Sequence, residues 1–186
     1  DPWAPTVGTC VGVVLYLSST IRNASGALRV EDADYLFSEF SYINRIVGVG
    51  DIDGDHRSDL LVGRSSSDTV YLILASTLLQ YPRQSVFPPD AVDCTFIGES
   101  ATLRVPGDDV TWYSNAGAAL SGAGDVDGDG LVDILIGAPN CALQLGGRVI
   151  WEYDMGVVFP HTVGRAYLIY CKTIAKLSQG ATLNLS

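Results

Sequence analysis

Positive charge is scarce in this chain: 11 Lys and Arg stand against 21 Asp and Glu in 186 residues, a formal net charge of -10. That balance excludes nucleic acid and anionic membrane surfaces as main partners, because both are held through clustered basic side chains. A cationic partner is favoured. Long apolar runs are missing too. The cleanest, Val11 to Leu17, is far shorter than the roughly 18 residues a membrane helix needs, so no membrane insertion is expected. Cysteine is sparse and dispersed, with Cys10, Cys94, Cys141 and Cys171 forming no CxxC pair and having no His at zinc spacing, which argues against a thiolate metal site. An even count permits two disulfides, and buried free thiols are the alternative. Catalytic groups are thin: neither His56 nor His161 has a nucleophile motif nearby, so an enzyme is not expected. No Met opens the chain and no signal segment precedes Asp1, which reads as a processed chain or a fragment.

What is present points to a folded, exported protein. Hydrophobic residues make up 47% and charged residues only 17%, which excludes intrinsic disorder and supplies a sizeable core. The sequons Asn23-Ala24-Ser25 and Asn184-Leu185-Ser186 are candidate glycan acceptors on surface loops. Together with the even cysteine count they favour an extracellular or cell-surface location.

Internal repetition organises the rest. Val49-Gly50-Asp51-Ile52-Asp53-Gly54-Asp55 recurs as Ala123-Gly124-Asp125-Val126-Asp127-Gly128-Asp129, a shift of 125 minus 51, or 74 residues. The apolar runs behind these loops recur as well: Asp59 to Gly63 and Thr69 to Leu74 in the first copy, Asp133 to Gly137 and Arg165 to Tyr170 in the second. A partial copy, Gly12 to Leu17 followed by Ile21 to Leu28, matches the end of a repeat. These runs are short, rich in Val, Ile, Leu and Tyr, and bounded by Gly, Asp and Ser, so they read as strands. Several are apolar at nearly every position, as strands are when both sheet faces are covered.

The expectation is an all-β fold of β-propeller type, with four-stranded antiparallel blades stacked around an axis. Strands are predicted near 41–50, 59–63, 69–75 and 94–99 in the first full repeat, and near 116–124, 133–138, 165–171 and 181–185 in the second. Residues 1–36 would form the outer two strands of a preceding blade, 37–100 one blade and 101–186 another with an insertion at 140–164. About two and a half blades cannot close a ring, so missing sequence or another copy would complete it.

Asp51, Asp53, Asp55 and Asp59 take positions 1, 3, 5 and 9 of the loop 51–59, and Asp125, Asp127, Asp129 and Asp133 repeat that spacing in 125–133. Alternating carboxylates converge on a hard cation, and the carbonyl at position 7, of Arg57 or Leu131, adds an oxygen. A helical EF-hand is rejected because position 12 is Val62 or Ile136, inside a predicted strand, where a bidentate Glu would be needed. An all-protein oxygen cage suits Ca2+ better than magnesium, so two calcium sites are expected.

These residues resemble a known family. The loop Gly124-Asp125-Val126-Asp127-Gly128-Asp129-Gly130, the strand Asp133-Ile134-Leu135-Ile136-Gly137-Ala138-Pro139 and the strand Gly164-Arg165-Ala166-Tyr167-Leu168-Ile169-Tyr170 are similar to the FG-GAP repeats of integrin α-subunit β-propellers. The resemblance implies calcium on the lower face of a seven-bladed ring and adhesion or ligand recognition by loops on the upper face. In this chain the upper loops include the insertion, with Trp151, Tyr153 and Phe159, and the loop from Leu103 to Tyr113, with Trp112. The insertion is either a partner-binding surface or an ornament packed on its own blade, and an extra hairpin from 148–151 and 157–159 is predicted within it. Strand direction in such a ring pairs Cys94 with Cys171, while Cys10 and Cys141, two blades apart, would pair only between chains. The functional expectation is a non-enzymatic calcium-binding module for protein recognition; a structural protomer assembled head to tail from further copies is the alternative.

Overall fold

The apolar runs behind the two acidic loops become the central strands of two sheets in the computed structural model, which describes residues 12–38, 40, 42–105, 108–145, 148–154, 157–174 and 179–185. The first part contributes β1 (Val13–Leu15), α1 (Ser18–Asn23) and β2 (Tyr35–Phe37). The first full repeat contains β3 (Arg45–Gly50), β4 (Asp59–Arg64), β5 (Thr69–Ile73), α2 (Ala75–Leu78), β6 (Ser85–Val86) and β7 (Cys94–Ile97). A hairpin of β8 (Ser100–Val105) and β9 (Asp108–Tyr113) follows. The second repeat contains β10 (Ala119–Gly124) and β11 (Asp133–Ala138), then the insertion strands β12 (Gln144–Leu145), β13 (Arg148–Val149), β14 (Trp151–Asp154) and β15 (Val157–Pro160). It ends with β16 (Arg165–Ile169), α3 (Cys171–Ile174) and β17 (Ala181–Asn184). The fold is all-β in character, as the strand-length apolar runs require.

Three sheets stack face to face: β1-β2-β6, then β17-β7-β5-β4-β3, then β10-β11-β16. The middle sheet is covered on both faces, which explains why its strands are apolar at nearly every position. Val62 and Ile73 point into one core with Tyr35, Phe37, Phe40 and Phe87, all buried. Leu61, Val70 and Leu72 point into the other, against Ile134, Ile136 and Ala138. Each such fully buried side chain contributes about 1.5–3 kcal/mol of transfer free energy. The edge strands β3 and β10 approach so closely that a Cβ on Gly122 would lie 2.3 Å from the Val49 carbonyl oxygen. Only glycine fits there.

A buried carboxylate fastens the second and third sheets together. Asp68, in the turn between β4 and β5 at a left-handed φ of 53°, accepts from the Ser114 amide (2.8 Å), the Ser114 hydroxyl (3.1 Å) and the Ala116 amide (3.0 Å). Desolvation raises the Asp68 pKa, while those donors pull it back down.

Several expectations need correction. The segment 181–185 does not form the outer strand of the second repeat: β17 runs parallel to β7 in the middle sheet. The chain leaves α3 toward the preceding repeat, where the Gly180 amide donates to the Asp93 carbonyl (2.9 Å) and the Leu185 amide to that of Ile97 (2.8 Å). The pairing of β6 with β2 is the same event one repeat earlier, with the Gln84 amide on the Asp34 carbonyl (2.7 Å). The middle sheet therefore has five strands and the third sheet three, not four each. Likewise the second strand of the N-terminal part lies at Tyr35–Phe37, and residues 27–29 are irregular.

The expected Cys94–Cys171 disulfide is not formed. Cys94, Cys141 and Cys171 are buried free thiols. Cys171 donates its thiol to the Val132 carbonyl (2.7 Å), and Cys141 lies 3.9 Å from the Tyr167 hydroxyl. Cys10 lies outside the described residues. Among the described residues, no helix is long and apolar enough to cross a membrane.

Candidate metal centre

Both acidic loops close by the same local chemistry, an aspartate at position 1 gathering the amides that follow it. Asp51 accepts from Gly54 (2.7 Å) and His56 (2.8 Å); Asp125 accepts from Gly128 (2.7 Å), Asp129 (3.0 Å) and Gly130 (2.9 Å). The loops turn through left-handed residues at Gly54 and His56 in one and at Gly128 and Gly130 in the other.

Position 9 is where tertiary structure enters. Asp59, fully buried, accepts from the Ile52 amide of its own loop and the Ala75 amide at the start of α2, both at 2.8 Å. Asp133, equally buried, accepts from Val126 (2.9 Å) and from Cys171 at the start of α3 (3.0 Å). Each of these carboxylates thereby locks its loop to the end of the third strand of its repeat.

The result is two acidic triads. Oxygens of Asp51, Asp53 and Asp59 lie within 4.8 Å of one another, as do those of Asp125, Asp127 and Asp133, and either group could hold a metal ion. Asp55 and Asp129, also expected as ligands, turn back on their own loops. Asp55 accepts from the Arg57 amide (2.8 Å) and pairs with its guanidinium (3.2 Å), and Asp129 accepts from the Leu131 amide (2.9 Å). The Arg57 and Leu131 residues whose carbonyls were expected to contribute are thus held in the turn by these two carboxylates.

Electrostatics sharpen the picture. Burial pushes the Asp59 carboxyl up to about 6, the Ala75 and Ile52 amides oppose that rise, and repulsion from Asp53 and Asp55 adds to it. For Asp51, burial is the largest single influence and acts upward, but the His56 and Gly54 amides and the charge of His56 together outweigh it, leaving the carboxyl below its ordinary range. In the second triad Asp127 Oδ1 is buried without a hydrogen-bond partner, and its Oδ2 pairs with the Lys172 ammonium. A buried acceptor with nothing to accept suits a cation. Lys172 was not anticipated from sequence; the corresponding position after β5 is Ser76, so the two loops differ in having a competing ammonium.

The other expected site residues scatter. The acidic loops enter β4 and β11, whereas the β8–β9 hairpin and the insertion leave from the opposite ends of their sheets, with Glu99 bonded to Arg165, Tyr167 (3.0 Å) and Gln144 (3.4 Å) there. Trp112 lies in β9 opposite Ala101, half-buried, with its indole N–H unpartnered. Trp151 is half-buried at the start of a hairpin that pairs β14 with β15, close to the predicted one, although Arg148–Val149 pairs with Gln144–Leu145 instead. The side chains of Tyr153 and Phe159 lie outside the described residues. Asn23 is exposed at the end of α1; Asn184 is exposed but sits in a strand rather than a loop. No family model and no solved structure matches the chain.

Proposed function

We infer that this chain is a non-enzymatic, extracellular calcium-binding module of the FG-GAP, integrin α-like type, built for adhesion or protein recognition. The observation that carries this reading is the duplicated triad: two loops of equal spacing bring three carboxylates together, with the same frame of amides around positions 1 and 9. Mutual repulsion within each triad is relieved by a hard divalent cation. In the absence of a second function for the acids, calcium serves as a clamp between the loop and the strands it joins. The β8–β9 hairpin and the insertion, at the opposite ends of the sheets, form the recognition surface, around Trp112 and Trp151.

Titration calorimetry of calcium into the chelator-stripped protein tests this. Two binding events are expected, with magnesium at equal concentration binding more weakly. Absence of saturable calcium binding overturns the reading. Head-to-tail assembly is the second reading, favoured by the outward face of the third sheet, where Leu135 and Leu168 are 39% and 41% exposed while their counterparts Leu61 and Leu72 are fully buried. Light scattering in calcium separates the two, since a monodisperse monomer rules assembly out.

A further inference from the structure

Asp34 and Asp93 hold equivalent places in successive repeats. Each donates its amide to the third strand of its repeat, Asp34 to the Leu15 carbonyl and Asp93 to that of Leu72, both at 2.9 Å. Each carboxylate accepts from an amide just past that strand, Leu17 (2.8 Å) or Leu74 (2.7 Å), and so holds the outer strand β2 or β7 alongside. Each carbonyl receives an amide from the next repeat, Gln84 on Asp34 (2.7 Å) and Gly180 on Asp93 (2.9 Å), which makes Arg83 the counterpart of Gln179. The same alignment makes Ser19 the counterpart of Ser76, and the register of β16 on β11 extends it to Lys172.

Two of the three repeats place a cation here. Asp34, whose side chain is only 4% exposed, pairs with the Arg83 guanidinium (3.2 Å), which also donates to the Ser19 hydroxyl (3.4 Å). Asp127, the counterpart of Asp53, pairs with the Lys172 ammonium. The middle repeat has neither cation, because Gln179 stands in place of Arg83 and Ser76 in place of Lys172. A cavity of about 360 Å³ opens there, lined by Asp53, Ser76, Thr77, Asp93, Ile174 and Gln179 among others. That volume falls within the roughly 300–1,000 Å³ of small-molecule sites. Asp93 accepts from two neutral donors, the Leu74 amide and the Thr77 hydroxyl (both 2.7 Å), and no cationic side chain among the described residues pairs with it. Burial raises the Asp93 carboxyl above its ordinary range, the bonds from Thr77 and Leu74 oppose that rise, and repulsion from Asp53 adds to it. The counterparts of both cations lie within the chain, so the opening is the work of two neutral residues.

We propose that this cavity is a binding site for an alkyl guanidinium or ammonium group, which takes the place that Arg83 and Lys172 fill in the flanking repeats. The cation lies against the Asp93 carboxylate with Asp53 near it, and its alkyl stem covers Leu74 and Ile174. An arginine or lysine side chain of a polypeptide and a free alkyl cation supply the same chemistry. This inference stands on the comparison of repeats and does not depend on metal binding: Asp53 belongs to the first triad, but Asp93 does not.

The test follows amide NMR shifts of the 186-residue protein, in calcium and again in EGTA, as Nα-acetyl-arginine amide or butylguanidinium is added. Saturable shifts at Leu74, Ser76, Thr77 and the Gln179 carboxamide are expected in both buffers. The uncharged citrulline analogue is expected to bind about tenfold or more weakly, because the ion pair is lost. Tighter binding of the acetylated amino acid than of butylguanidinium assigns the site to a polypeptide side chain; otherwise a free alkyl cation is the ligand. Gln179→Arg, which restores the counterpart of Arg83, is expected to fill the cavity from within and weaken binding about tenfold or more. Ser66→Arg adds the same charge on an exposed turn at the far end of β4 and is expected to leave affinity unchanged. No saturable binding, equal affinity for the citrulline analogue, shifts confined to residues outside the cavity, or undiminished binding to Gln179→Arg each overturns the proposal. An equal fall in Ser66→Arg and Gln179→Arg marks a general attraction of an acidic chain for cations and overturns it as well. Should Gln179→Arg fail to fold, Ser76→Lys, which restores the counterpart of Lys172, is read in the same way. Loss of calcium binding with the guanidinium shifts intact overturns the metal reading and supports this one.

Discussion

Asp59→Asn separates the structural work of a buried aspartate from its work as a ligand. In the metal-free protein the Asp59 carboxyl sits at about 6, against about 3.9 in an unfolded chain. Keeping it ionised at about pH 7 therefore costs on the order of 2–3 kcal/mol. Asparagine removes that cost, but its single acceptor oxygen serves only one of the Ile52 and Ala75 amides. Leaving the other buried without an acceptor costs about 1–3 kcal/mol. The two effects are similar in size and opposite in sign, so in chelator the variant is expected to melt within a few degrees of the parent. Calcium breaks the balance. At about 5 mM, a site of sub-millimolar affinity contributes about 1–2 kcal/mol, which the variant forgoes, and at roughly 2–4 °C per kcal/mol the Tm gap opens to about 2–8 °C. Circular dichroism melts with calcium and with EGTA read this directly. An equal loss in both buffers would refute the ligand role of Asp59.

The same group makes stability depend on pH. Because its folded pKa is raised, the stability Asp59 contributes to the metal-free protein is full below about pH 4 and is lost as pH rises through about 6; the calcium-dependent gain in Tm, which needs the carboxylate, should grow over that window. Lys172→Ser removes the ammonium paired with Asp127 and should raise calcium affinity at the second loop roughly two- to fivefold, a change calorimetry would detect; unchanged affinity would mean the ammonium does not compete. Asp68→Ala strips the acceptor from Ser114 and Ala116 and is expected to cost about 2–4 kcal/mol in urea unfolding, with calcium affinity little altered. Burial pushes Cys94 up to about 11 and Cys171 to about 12, so both should resist iodoacetamide at about pH 8 until the protein is unfolded. A mass consistent with a Cys94–Cys171 bond after unfolding without reductant would contradict the free-thiol assignment.

Much of the fold and of the site was legible beforehand because it is local. Strand length and apolar content placed β4, β5, β7, β11 and β16 within a few residues, and the spacing of Asp51, Asp53 and Asp59 sufficed to place them together, since a nine-residue turn closed by its own amides has little freedom to do otherwise. Asp55 and Asp129 stand outside the two triads, and alternation alone cannot say whether a carboxylate points inward or accepts from the amide two residues on.

The sequence by itself thus determined the all-β character, the repetition and the two acidic loops, each a matter of short-range pattern and backbone preference. Only the tertiary structure decided that β17 returns to the preceding repeat, that Asp34 and Asp93 hold the outer strands, that Asp68 ties two sheets together, and that Lys172 meets Asp127. Those outcomes depend on groups from 17 residues apart in the chain, Leu17 and Asp34, to 181 minus 94, or 87, for Ala181 and Cys94, brought together by burial of shared apolar faces. No local pattern encodes which distant amide a buried carboxylate will find.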